Sequence, residues 1–226
     1  MHIEPSIVEG AKIVLSYGTA TAALGVAVKI ALDTIKRDGV ISLAVRSLLT
    51  SLLALSFFEV LPHQPIGVSE VHLILGSTLF LVFGAAPAAI GLTIGLLAQG
   101  IFFAPFDLPQ YGMNVTTLLV PLFAMSLLAK KVIPESVAYQ DIKYSQALKL
   151  SMTYQGGIIT WVAFWAFYGQ GFGSENLAQV LSFGAAYMSV ILLEPLLDLA
   201  VLAGAKTLHQ LKGSLFVEKR LYAALS

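Results

Sequence analysis

Residues 69–105 constrain this chain more than any other stretch: SEVHLILGSTLFLVFGAAPAAIGLTIGLLAQGIFFAP. Their one charged side chain, Glu70, stands at the start. A bilayer-spanning helix takes about 20 apolar residues, so the run is too long for one span and too apolar for water. FGAAP interrupts it near the middle, where Pro87 can open a helix but disrupts a helix interior. The run therefore reads as a tight hairpin of two short helices, over about 70–84 and 87–103. Composition agrees: of 226 residues, 12% are charged and 57% hydrophobic, with mean hydropathy +0.83, against roughly 25% charged in soluble domains. The fold class is an all-α integral membrane protein.

Five further apolar segments, over about 12–32, 40–61, 112–132, 146–168 and 177–208, bring the expected count to seven transmembrane helices. Short cytoplasmic loops carry the excess of Lys and Arg. With the N-terminus outside and the C-terminus cytoplasmic, eleven of the thirteen basic residues fall inside, among them Lys36, Arg37, Lys130, Lys131, Lys219 and Arg220. The outer loops PHQPIGVS, FDLPQY and GQGFGSEN have none. Six spans would put Lys130 and Lys131 outside. Residues 1–226 then form one membrane domain: an exterior segment 1–11, a helical bundle 12–208 and a cytoplasmic tail 209–226.

Several functions drop out on composition. Net charge is zero, which gives no basic footprint for nucleic acid. There are no cysteines, hence no disulfides, thiolate metal sites or thiol chemistry. H-E-x-x-H is absent, as is any phosphate loop of the GxxxxGK type, so neither an intramembrane metalloprotease nor ATP hydrolysis by this chain is expected. No basic leader precedes the first apolar run, so no cleavable signal is expected. Met1 is expected to stay in place, because the second residue, His2, is bulky.

Met1-His2 is a chelating sequence. The α-amine, the peptide nitrogen between the two residues and the Nδ1 of His2 close a five-membered and a six-membered ring around one metal ion. Such a flat nitrogen set suits Ni(II) or Cu(II) and leaves one position in the plane. A second histidine on the same membrane side could fill it. In the expected topology this is His72, at the outer end of the third helix; His63 is also outside, and His209 lies in the cytoplasmic tail.

Four motifs in order resemble one family. The chain begins MHIEPSIVEG, continues with SEVHL, LLAQGIFF and GMNVTTL, and in this is similar to the substrate-binding membrane subunit (S component) of cobalt/nickel energy-coupling-factor transporters, the CbiM/NikM group. The likeness covers residues 1–121; the later helices match only as hydrophobic spans. Two departures stand out: Val71 is an extra residue in the family's Ser-x-His-Leu segment, and APFDLPQY replaces its Gly-rich stretch. The resemblance implies seven helices with an exterior N-terminus, and a metal site formed by Met1, His2 and His72. Its substrate would be Co2+ or Ni2+, with no organic cofactor. It also implies partners in a prokaryotic cell membrane: a transmembrane T component (CbiQ/NikQ-like), ATPase subunits (CbiO/NikO-like) and a small accessory membrane subunit (CbiN/NikN-like).

The remaining polar residues have two readings each. Gln99 and Asn114, and Ser69 beside His72, either orient the ligating histidines or serve as interhelical bonds and a helix cap. Intramembrane charges pair; by depth, Arg46 is expected to meet Asp198, with Glu194 one turn away on the same face. Small residues four apart in the first helix, such as Gly18 and Ala22, either pack that helix inside or dock another subunit. The competing function is an S component or stand-alone carrier for an organic nutrient such as a vitamin, which would not need a free N-terminus.

Overall fold

The computed structural model describes residues 3–224. Seven α-helices and one β-hairpin follow one another: α1 (Val14–Asp38), α2 (Val40–Glu59), β1 (His63–Ile66), β2 (Ser69–His72), α3 (Gly76–Phe83), α4 (Ala85–Phe102), α5 (Tyr111–Val132), α6 (Tyr144–Gln170) and α7 (Ser174–Thr207). Five helical segments are long and apolar enough to cross a membrane: Gly10–Asp38, Val40–Glu59, Ala85–Phe102, Pro105–Val132 and Ser174–Thr207. α6 has the length, 27 residues, but Lys149, Ser151 and Gln155 dilute its first half. α5 is the central helix, buried along most of its length, while α1, α2 and α7 turn apolar side chains such as Leu32, Leu48 and Leu192 outward. In lipid that outward face is the stable arrangement, because the solvent is as apolar as the side chain.

The third helix departs from expectation. Residues 69–72 form a strand, and the helix begins only at Gly76. The cause lies upstream. Gly67 adopts φ +64° at the first position of a two-residue loop, the position a tight hairpin reserves for glycine. Ile66 then pairs with Ser69 and His63 with His72. Only glycine fits there, since a Cβ at residue 67 would lie 2.2 Å from the carbonyl oxygen of Gln179. Leu75, at φ 53°, turns the chain from the strand into α3. With eight residues, α3 is about 12 Å long and cannot by itself cross a hydrocarbon core of about 30 Å.

α3 is short, buried and bracketed by charge. Its N-cap position is held by Leu75, which has no capping side chain. One orphan donor at its start and two hydroxyls beside it go instead to carboxylates on α7. The Ser77 amide donates to Glu194 at 3.4 Å, and the hydroxyls of Ser77 (2.7 Å) and Thr78 donate to Asp198. Ser151 and Gln155 of α6 complete Glu194's partners at 2.9 and 2.8 Å. At the other end, Arg46 Nη1 donates to the Phe83 carbonyl at 3.0 Å. Carboxyl oxygens at the start and a guanidinium at the end follow the order the helix dipole favours.

The pairing expected between Arg46 and Asp198 is corrected accordingly. Arg46 instead bonds Asp38 at 2.6 Å and Glu218 at 2.9 Å. The expectation failed because it treated residues beyond 208 as a free tail. In the structure that segment folds back: the Glu218 amide donates to the Val82 carbonyl, Arg220 donates to the carbonyls of Ile133 and Pro134, and Val217 and Leu221 are buried. The first helix also resolves into two faces. Ala20, Ala23 and Ala27 are buried, whereas a Cβ at Gly18 or Gly25 would meet nothing within 4 Å.

Candidate metal centre

His72 sits at the end of the bundle away from the tail, in the last position of β2. The residue is buried, 1% exposed. The ring is fixed on three sides. Nε2 is 2.8 Å from Glu70 Oε2; the His63 ring, its register partner on β1, stacks on it at 4.9 Å between centroids and 7°; and Phe58 of α2 meets it edge-on at 6.0 Å. Tyr187 of α7 donates its hydroxyl to the His72 carbonyl at 3.4 Å. Burial above all drives the His72 imidazole well below the ordinary histidine range. The ring is therefore neutral at physiological pH, the form that ligates metals.

The N-terminal segment is laid against this hairpin. Ile3 is fully buried, pairs with Ser69 and donates its amide to Asn114 Oδ1 at 3.0 Å. The Glu4 amide donates to Val68, and Gln110 and Gln170 donate to the carbonyls of Pro5 and Ser6 at 3.1 and 3.4 Å. Ile7 and Val8 are buried. Their backbone passes so close to the end of α6 that a Cβ at Gly169 would lie 1.8 Å from the Ile7 carbonyl oxygen. Burial, and then Glu70, pushes the Glu4 carboxyl up.

Of the residues singled out from the sequence, Ser69, His72, Gln99 and Asn114 are all buried. Ser69 and Asn114 both hold Ile3; Gln99 lies in the last turn of α4. Met1 and His2 lie outside the described residues. Among the described residues, no three His, Asp or Glu side chains are grouped to hold a metal ion by themselves. Glu194 and Asp198 stand apart from this centre, at the start of α3. Sequence reasoning missed Glu70 as a partner of His72 and His63 as its stacking neighbour. In a helix, residues two apart do not face each other; in a strand they do. Gly67 between two short β-prone runs was the available signal.

A second concavity, of about 610 Å³, opens at the same end between Glu4, Gly67, Gln170, Glu175, Asn176 and Gln179. It is polar and open, unlike the enclosed, mostly apolar pockets that bury small organic ligands.

A bundle of long apolar helices, with a small hairpin carrying a buried histidine at one end, defines a class: an integral membrane protein of the helical-bundle type. The family described as "cobalt uptake substrate-specific transmembrane region" (CbiM) matches residues 2–210, and the chain belongs to that family. It is thus a substrate-specific membrane component of cobalt uptake, a transport component and not an enzyme. No curated protein and no solved structure matches the chain.

Proposed function

We propose that this chain captures Co2+ or Ni2+ at the exterior face and delivers it inward, as the substrate-specific subunit of an ATP-driven uptake transporter of the energy-coupling-factor type. The α-amine and amide nitrogen at Met1-His2, the His2 imidazole and His72 are the four ligands. The observation that supports this most is the anchoring of Ile3. That residue is bonded to Asn114 and paired with Ser69, three positions before His72. With consecutive Cα atoms about 3.8 Å apart, this anchor leaves the first two residues within reach of the His72 ring. Nickel fits the same nitrogen set as cobalt, and which of them dominates is a matter of geometry and supply.

The orientation proposed is N-terminus outside and C-terminus in the cytoplasm. Arg37, Arg46, Lys219 and Arg220 gather at the end opposite His72, as cytoplasmic ends require. Residues 73–83 then make the third of seven crossings, part extended and part helical. Non-helical backbone is stable at membrane depth only when buried in protein, and Ile74, Leu79 and Leu81 are fully buried. One domain, coupled to a T component and separate ATPase subunits in a prokaryotic cell membrane, completes the reading.

Equilibrium binding of Co2+ and Ni2+ to purified protein tests it. His2→Ala, His72→Ala and a Gly-Ser-Ser-Gly extension before Met1 should each abolish tight binding, while His209→Ala binds like the parent. An extended protein that binds as tightly as the parent would overturn the N-terminal site.

A further inference from the structure

We propose that Glu70 is a positioning residue for this site: its carboxylate holds His72 in the Nε2–H form, so that the ring presents Nδ1 to the metal ion. The inference rests on His72 being a ligand, as proposed above, but adds which nitrogen binds and what aims it.

Three observations converge on the ring. First, Glu70 and His72 are two apart on a strand and so project from the same face. Their contact, at 2.8 Å, is a hydrogen bond of full strength by distance. Second, the two groups are placed on opposite sides of the water boundary. The Glu70 side chain is 25% exposed and that of His72 is 0%. The charge thus remains at the edge, where its hydration costs little, while the ring lies inside. Third, the ring plane is fixed by the parallel stack on His63 and the edge of Phe58. Turning the ring over to point Nε2 elsewhere would forfeit the bond to Glu70.

A neutral imidazole carries one N–H, and an ionised carboxylate can only accept. The bond to Glu70 therefore requires the hydrogen on Nε2, and Nδ1 keeps the lone pair. Histidines that bind metals commonly give their other N–H to a carboxylate or carbonyl, which fixes the tautomer and makes the ligating nitrogen more basic. Ser69 is three residues from His72 in the strand and faces the other way, so Glu70 takes the same-face position.

Two measurements decide the matter. In protein labelled with 15N-histidine and free of metal, the His72 signal, identified by its absence in His72→Ala, should show the Nε2–H tautomer. An Nδ1–H tautomer overturns the proposal whatever the metal data say. In equilibrium binding of Ni2+, Glu70→Ala should weaken affinity by about 10- to 100-fold, the usual cost of removing such a partner. Glu70→Gln retains an acceptor oxygen and should keep both the tautomer and most of the affinity. A Gln variant that binds as poorly as the Ala variant would mean that Glu70 acts as a charge or a direct ligand, and overturns its role as an anchor. If His72→Ala binds like the parent, the metal site itself is misplaced, while the tautomer measurement still reports on the Glu70–His72 contact.

Discussion

Replacing Arg46 by alanine should destabilise the bundle by about 3 kcal/mol, the lower end of the range for breaking a buried ion pair. The structure sets the choice within that range. Arg46 and Asp38 side chains are each 1% exposed and that of Glu218 is 9%, so no partner regains full hydration when the guanidinium is lost. Compensation remains, however. Asp38 keeps Arg37 at 2.9 Å and Lys219 at 3.0 Å, and Glu218 keeps Arg37 at 3.0 Å. The Phe83 carbonyl loses a donor, worth about 1 kcal/mol. Unfolding by SDS titration in mixed micelles, read from the fluorescence of the fully buried Trp165, measures the loss. A double-mutant cycle then names the partner. Arg46→Ala with Glu218→Ala should couple by about 1–3 kcal/mol, while Arg46→Ala with Asp198→Ala should add to within about 0.5 kcal/mol. Strong coupling to Asp198 and none to Glu218 would refute the ion pairs described here, and with them the folded-back tail.

Other perturbations have equally definite expectations. Because His72 has a pKa below its unfolded value of 6.5, the unfolded chain binds a proton that the folded one does not. Its contribution is complete above pH 6.5 and is lost as pH falls below it, by at most about 1.4 kcal/mol per pH unit; between pH 7 and 5 the SDS midpoint of the parent should fall relative to that of His72→Ala, and two curves that run parallel would refute the shift. Gly67→Val should disrupt the hairpin and abolish metal binding, since both the left-handed φ and the Gln179 carbonyl oppose a side chain; binding equal to the parent would show that the hairpin does not form. His63→Ala should weaken binding several-fold, through loss of the stacked ring, and an unchanged affinity would show that the stack does not hold His72. Glu194→Ala should cost about 2–3 kcal/mol, because the Ser77, Ser151 and Gln155 donors lose their acceptor inside the bundle, while Glu194→Gln costs less in the same SDS titration.

The apolar segments were legible because each is long and bounded: the ends of α2, α4 and α5 lie within about two residues of where hydropathy put them, which is as well as boundaries are ever defined. The stretch 69–84 was not, because HLILGSTLFLVF is mostly apolar with no regular polar spacing, and a fully buried strand and a fully buried helix then leave no periodic difference. The chemistry of Met1-His2 could be read directly, since chelate ring size depends on covalent structure alone. One of the two partners of Arg46 could not be, because it is Glu218, 172 positions away, and depth in the membrane says nothing about a segment that returns to the bundle. The contact of Glu70 with His72 was hidden for the same reason, since residues two apart share a face in a strand and not in a helix.

The position of Leu75 has a mechanical consequence. Below it, Gly76–Phe83 is held at both ends, by two carboxylates of α7 at the start and by the Arg46 guanidinium at the finish. Above it, His72 is stacked on one strand and bonded within its own. Between these two rigid bodies lie Leu73, Ile74 and Leu75, the last already outside the comfortable region for a residue with a Cβ. These three residues are the only chain that joins the histidine's strand to the helix, so Leu75→Gly, which relieves the left-handed φ while leaving every contact of both bodies in place, alters how the two are joined and nothing else.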